Sequence, residues 1–182
     1  MHSIAEPVIA VAGQASAPQV LTGLSICIPV YNEEGAIRET LDRCLALGEG
    51  LGRAGIPLFE VIAVDDGSHD LSATIIEAEF PGVRLIRHER NSGYGAALKT
   101  GFLRARHDVV VITAGDGTYP EAKIADILAR IDDGADMVVG SRTGADVHIP
   151  LVRRPAKAFL RWLASYLAGT SVADLSAGLR AI

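Results

Sequence analysis

At 182 residues the chain has room for one domain, and 49% hydrophobic residues with only 5% aromatics call for an aliphatic core. The net charge of −5 is unevenly placed: residues 141–182 carry six basic against two acidic side chains, a net of +4, while the first 140 carry 11 against 20, a net of −9. Such a basic tail is suited to meet something anionic. Nucleic acid is disfavoured because no basic stripe is interleaved with aromatics, and no apolar run approaches the ~18 residues that span a bilayer.

Residues 1–22 are rich in Ala, Pro, Gln and Ser without period and read as a flexible arm. They lack a basic n-region, and Glu6 and Pro7 interrupt the apolar residues, so a signal peptide is not expected. Residues 25–30, SICIPV, form a first strand that ends in Tyr31, Asn32, Glu33 and Glu34. Ile37, Leu41, Cys44 and Leu45 then recur at helical spacing, and that helix is expected to stop around residues 48–55. Residues 59–65 make a strand whose apolar run, Val61 to Val64 after Phe59, is closed by Asp65, Asp66, Gly67 and Ser68, the pattern of a strand buried on both faces in a parallel sheet. Asp70 or Ser72 is the expected N-cap of a helix through Ile75, Ile76 and Phe80, which Pro81-Gly82 breaks.

A short strand over residues 83–87 follows, and then Gly93 opens a helix whose shared face is Tyr94, Ala97, Leu98, Gly101, Phe102 and Ala105. Residues 108–113 are a further buried strand, ending in Ala114, Gly115 and Asp116. Pro120 suits the first turn of a helix with a core stripe of Ile124, Ile127, Leu128 and Ile131. Residues 137–140 are the last expected strand, ending in Ser141 and Arg142. Strands alternating with amphipathic helices on short links imply a doubly wound, mostly parallel sheet flanked by helices. The polar clusters after four of these strands then converge on one edge, where such sheets hold ligands. Cys27 and Cys44 read as small buried hydrophobes, in keeping with a reducing compartment.

Several residues along that edge carry readable chemistry. Ala63 and Asp65 share strand parity, so a small side chain leaves a slot for a flat ring beside a carboxylate that accepts an N–H. Asp116, in a glycine-flanked turn, suits a hard divalent cation such as Mg²⁺ or Mn²⁺. Gly93-Tyr94-Gly95 half matches a dinucleotide loop but lacks the third glycine, and the acidic residue expected after the next strand is displaced, which argues against NAD. His69, His88, His107 and His148 fall in loops or at strand ends and read as solvated. Over residues 155–167, Phe159, Leu160, Leu163 and Leu167 form an apolar stripe bordered by Trp162 and Tyr166, with Arg153, Lys157 and Arg161 on another face. That pattern suits a membrane surface and equally a helix packed on the sheet with a solvated basic face.

The ordered segments IPVYNEE, VDDGSHD, NSGYGAALKTGF, ITAGDGTYP and GSR resemble the motifs of family 2 inverting glycosyltransferases, most of all the branch of dolichyl-phosphate mannosyltransferase and bacterial polyprenyl-phosphate glycosyltransferases. The resemblance covers residues 24–182. It implies the glycosyltransferase A fold, with a Rossmann-like sheet, over residues 23–182. Members of the family continue further, which implies a domain truncated at its C-terminal side. Pro29, Tyr31, Asn32, Glu33, Ala63 and Asp65 are implied to hold the nucleotide of a sugar donor, with Asp66 and Ser68 supporting that loop. Asp116 is implied to hold the metal, Gly115 to offer backbone, Arg142 to contact phosphate, and Arg153 or Arg154 to face the acceptor.

Two departures stand out. Ala114 occupies the position where the family's Asp-x-Asp motif has its first acid, and Ala177 stands where a hydroxyl is usual in the segment DLSAGLR, residues 174–180. The implied reaction moves a hexose from a GDP- or UDP-linked donor to a polyprenyl phosphate with inversion, at the cytoplasmic face of a membrane. A lipid phosphate is already ionised and needs no general base, and the only carboxylate noted for that role in the tail is Asp174. Acceptance of the sugar by a saccharide, and a catalytically impaired nucleotide-sugar binder, are the alternative readings.

Overall fold

A run of eight residues, GLSICIPV, sets the frame: β2 (Gly23–Val30) is buried nearly throughout and lies between two parallel neighbours, β3 (Leu58–Asp65) and β5 (Val109–Ile112). A strand with helices over both faces has no solvent side, which is why β2, β3 and β5 read as continuous apolar runs instead of alternating ones. The computed structural model describes residues 8–12, 21–53, 56–116, 124–133, 135–141 and 179–182. Those residues form a seven-stranded sheet in the order β1-β6-β7-β5-β2-β3-β4, with β1 at Val8–Ala12, β4 at Val83–Arg87, β6 at Met137–Ser141 and β7 at Arg180–Ala181.

β2 to β5 run in one direction. β6 is antiparallel to β7, which is antiparallel to β5, so β6 shares the direction of the parallel block without touching it. The expectation of a mostly parallel α/β sheet therefore holds, and β6 ends on the same edge as β2, β3 and β5. Two strands went unforeseen. Val8–Ala12, inside the stretch expected to be a flexible arm, pairs antiparallel with β6 along its whole length. β7 is only two residues long and slots between β5 and β6.

The helices divide between the two faces. Ile37, Leu41 and Cys44 of α1 (Ile37–Arg53), Ile75 and Ile76 of α2 (Ser72–Glu79) and the full stripe Ile124, Ile127, Leu128 and Ile131 of α4 (Ile124–Asp132) join Ile26, Ile28 and Val61 in one cluster. On the other face Ala97 of α3 (Tyr94–Arg104) meets Cys27, Ile62, Val64 and Val110. α3 can lie this close because Gly101 has no side chain: a Cβ there would collide with Cys27 Sγ. Both cysteines are buried and outside any disulfide, as expected, and burial pushes the Cys27 thiol up to about 12.

α1 passes through Gly48, Gly50 and Gly52 and ends at Arg53, inside the stretch expected to stop it, with Leu51 buried near its end. Two local expectations are corrected. Leu71 occupies the N-cap position of α2, without a side-chain cap of its own; one residue earlier, Asp70 accepts the Ser72 N–H on Oδ1 at 2.9 Å and the Glu34 N–H on Oδ2, while Ser72 Oγ accepts the Glu33 N–H of another loop. Tyr94, assigned to the core face of α3, is 54% exposed at the helix start.

Candidate functional site

Strand register brings the loops together. Val30, the last residue of β2, lies opposite Asp65, the last of β3, which in turn lies opposite Arg87 at the end of β4. β5 stops at Ile112 opposite Cys27, and Gly115 beyond it approaches the Pro29 carbonyl so closely that a Cβ would sit 3.3 Å from that oxygen. Four loops thus leave the sheet along one rim, the place where open α/β sheets take ligands.

The first two loops are clasped by reciprocal hydrogen bonds. The Asn32 N–H donates to Ser68 Oγ at 3.0 Å, the Glu33 N–H to Ser72 Oγ at 2.7 Å and the Glu34 N–H to Asp70 Oδ2 at 3.0 Å. In return the His69 N–H donates to Asn32 Oδ1 at 2.9 Å and the Leu71 N–H to Glu34 Oε2 at 3.0 Å. Asn32 adopts φ 57°, a left-handed conformation that asparagine tolerates better than most residues. The Glu33 carbonyl accepts from Ala36 and Ile37, starting α1 directly behind the loop.

The two aspartates after β3 have separate surroundings. Asp65 is 1% exposed; its Oδ1 accepts the Ser68 N–H at 3.1 Å, which closes the turn, and Arg87 stands 3.8 Å from its Oδ2. Asp66 reaches toward the loop after β4, accepting the Ser92 N–H on Oδ1 at 3.0 Å and the Gly93 N–H on Oδ2 at 2.7 Å. His88 Nδ1 lies 2.6 Å from Asp66 Oδ1, and its Nε2 lies 2.9 Å from Thr100 Oγ1 on α3. Burial pushes the Asp66 carboxyl up, but the Ser92, His88 and Gly93 donors together hold it below the ordinary aspartate range. Between these loops Gly67, at φ +73°, leaves so little space that a Cβ would sit 2.6 Å from the Arg90 carbonyl carbon.

The rim encloses a hollow of about 320 Å³, walled by Pro29, Tyr31 and Glu33 from the β2 loop, Asp66 from the β3 loop, Asn91, Gly93 and Tyr94 from the β4 loop, and Ala114, Gly115 and Asp116 from the β5 loop. The volume lies at the lower end of small-molecule pockets. Its described wall carries three carboxylates and no Lys or Arg. Glu33 is raised above the ordinary glutamate range, first by burial and then by the nearby charges of Asp116 and Asp70.

A divalent cation fits this arrangement. A charge such as that of Asp116 beside Glu33 favours a cation as well as a proton, and Mg²⁺ or Mn²⁺ is commonly held by one or two carboxylates together with substrate phosphates. No cluster of three His, Cys, Asp or Glu ligands occurs among the described residues. Asp116 and Glu33 are the carboxylates that could hold such an ion.

Of the residues singled out in the sequence, Pro29, Tyr31, Glu33, Asp66, Gly115 and Asp116 meet at the hollow, with Asn32 in the clasp behind it. Ala63 and Asp65 do not line it. Ala63 is fully buried in the cluster with α1 and α2, so the slot its small side chain promised is filled by packing. Arg142, Arg153, Arg154, Pro120, the amphipathic stretch 155–167 and Asp174 to Ala177 lie outside the described residues. Sequence reasoning missed Asn91 and the role of His88, whose side chain is 17% exposed and not solvated. The signal available was a His just past a strand and three residues before Asn-Ser-Gly, which acquires meaning only once β3 and β4 are paired in register.

Residues 25–173 match the family description Glycosyl transferase family 2. An undecaprenyl-phosphate 4-deoxy-4-formamido-L-arabinose transferase of Edwardsiella ictaluri is 33% identical over 162 residues, covering 87% of this chain and 48% of that protein. The chain spans about a third to a half of the length of the curated relatives it matches. Among solved structures, mannosyl-3-phosphoglycerate synthase from Rubrobacter xylanophilus superposes with a TM-score of 0.66 at 20% identity, covering 88% of this chain and 52% of the other, which speaks to fold alone. A mannosyltransferase from Pyrobaculum calidifontis, solved in complex with GDP-Man and Mn²⁺, gives a TM-score of 0.50 at 26% identity over 63% of this chain and 33% of that one.

Proposed function

The chain belongs to glycosyl transferase family 2 and has the glycosyltransferase A fold, and on that premise we propose that it transfers a sugar from a nucleoside-diphosphate donor to a polyprenyl phosphate by a single inverting displacement. The observation that carries this reading is the convergence of Glu33, Asp66 and Asp116 from three separate loops on one hollow. An acidic hollow suits a diphosphate only together with a cation, and the pairing of Glu33 with Asp116 supplies the place for one. Tyr31 and Tyr94, 41% and 54% exposed at the mouth, offer flat faces to a base. Asp66, held ionised, offers an acceptor to a base N–H, while Gly115 lets the donor approach the backbone.

A bound Mg²⁺ or Mn²⁺ would neutralise charge on the departing nucleoside diphosphate. Asp116 and Glu33 would hold it, Arg142 would contact phosphate, and Arg154 would face the acceptor. An acceptor phosphate is already ionised near neutral pH, so the described residues are asked to bind and orient, not to remove a proton. The polyprenyl acceptor is supported by the curated relatives, which are undecaprenyl-phosphate sugar transferases, and action at the inner face of a membrane is part of the same proposal. No helix among the described residues is long and apolar enough to cross a membrane.

Ala114 favours one competing reading. It lines the hollow where the family pattern has an acid, and its loss could leave a binder without turnover. A thermal-shift panel of UDP and GDP with and without Mn²⁺, followed by transfer assays with the sugar-linked form of whichever binds, separates the two. A ligand that binds only the folded state must raise the melting temperature. We expect one nucleotide to stabilise the protein, more strongly with Mn²⁺, and its sugar conjugate to be turned over on polyprenyl phosphate. Binding without turnover, restored by Ala114→Asp, would establish the binder instead; no stabilisation by either nucleotide would remove both readings.

A further inference from the structure

His88 follows the last residue of β4, an edge strand of the sheet, where a histidine by default faces water. Here both ring nitrogens are engaged, Nδ1 with Asp66 Oδ1 at 2.6 Å and Nε2 with Thr100 Oγ1 at 2.9 Å. The ring therefore spans from the loop after β3 to the body of α3. A neutral ring that donates from Nδ1 accepts the threonine hydroxyl at Nε2, and a protonated ring donates at both, with the hydroxyl rotated to accept. The bridge persists in either state.

The bridge matters because of what hangs from Asp66. The same carboxylate takes the backbone N–H groups of Ser92 and Gly93, and those bonds hold the loop that puts Asn91 and Tyr94 on the wall of the hollow. His88 itself does not line the hollow. Without it, Oδ1 keeps only the Ser92 bond and the carboxylate plane is free to turn. Gly67, lacking a side chain, lets the backbone after Asp66 lie close against residues 90 and 91 of this loop, so the two segments are tightly apposed where Asp66 reaches across.

We propose that His88 is a positioning residue of the donor site: clamped between Asp66 and Thr100, it fixes the carboxylate that holds Ser92 and Gly93 and thereby sets the wall that Asn91 and Tyr94 present to the nucleotide. This rests on the reading of the hollow as a donor site. The variants that test it are His88→Asn, whose amide nitrogen overlays Nδ1 and keeps the Asp66 bond, His88→Leu, which keeps neither, and Thr100→Val, which removes only the far anchor. Amide hydrogen exchange at Ser92 and Gly93 in the ligand-free full chain is measured alongside affinity for UDP and GDP in the presence of Mn²⁺.

His88→Leu is expected to speed exchange at both amides and to weaken the nucleotide that wild type binds by about tenfold, the scale of one hydrogen bond to a charged group. His88→Asn and Thr100→Val, which both keep a donor to Asp66 and both lose the far anchor, should each retain affinity to within about threefold of wild type, short of the loss in His88→Leu. Unchanged exchange and affinity in His88→Leu would overturn the proposal, as would equal losses in His88→Asn and His88→Leu. If His88→Leu does not fold, His88→Asn and Thr100→Val decide: full loss in both overturns it. If wild type binds neither nucleotide, the donor reading fails while the exchange measurement still reports whether His88 orders the loop.

Discussion

Asp65 and Asp66 are adjacent in the chain, yet only the second faces ligand space, because strand alternation carries Asp65 to the face shared with Ala63 while Asp66 turns toward the loop after β4. The pair was legible in the sequence as the end of a buried strand. Which member does which job was not, since that depends on the loop opposite. Replacing Asp66 with Asn keeps one acceptor but sets an amide N–H against a backbone donor, and should cost about 1–3 kcal/mol at pH 7. An aspartate held below its ordinary value stabilises the fold fully above the unfolded value of about 3.9, and this contribution is lost as pH falls through the lower folded value. Urea titrations of wild type and Asp66→Asn should therefore differ at pH 7 and converge below pH ~4. Glu33 has the opposite sign: raised in the fold by burial and by Asp116, it penalises the folded state once ionised. Glu33→Gln should raise the cation-free melting temperature by about 1–2 °C at pH 7 and reduce the extra stabilisation that Mn²⁺ gives to a bound nucleoside diphosphate.

Elements whose apolar period is long were legible; those defined by a partner were not. The stripe of α4 and the buried runs of β2 and β3 are stated by their own residues. β1, with the sequence VIAVA, and β7, two residues long, become strands only because β6 offers each an edge. The misread cap of α2 has the same origin, since Ser72 Oγ and one carboxylate oxygen of Asp70 accept from the backbone of the loop after β2, leaving only Asp70 Oδ1 for the helix start. Ser72→Ala should leave the Glu33 N–H without its partner at a part-buried site, lowering stability by about 1–2 kcal/mol in denaturant melts and loosening that loop. Where α3 crosses β2, Gly101→Ala should cost about 1–3 kcal/mol by overpacking, and Cys27→Ala in the same chain should recover part of it. Additive losses in that double variant would show that the two sites do not press on each other.

At the scale of the molecule, the doubly wound plan and its ligand edge followed from order alone: strand, helix and polar cluster repeated along the chain. What order could not show is that the sheet is assembled in two blocks. β2, β3, β4 and β5 are a parallel unit, β1 and β6 an antiparallel pair, and among the described residues β7 is the strand that pairs with both. Removing residues 179–182 should lower the melting temperature and expose the β6 amides to hydrogen exchange before those of β2. Simultaneous loss of protection in both blocks would contradict that division.

The interposed β7 also bears on how a ribosome delivers this protein. The parallel unit, with most of the hollow's wall, is complete once residue 116 has left the exit tunnel, so nascent chains can acquire their nucleotide-facing half early. Val8–Ala12 emerges long before its partner and must wait, unpaired, for Met137–Ser141, which itself joins the parallel unit only through Arg180–Ala181. Long-range pairing of that kind is slow, and we expect ribosome-stalled chains ending near residue 150 to resist protease over β2 to β5 while being clipped near residue 10.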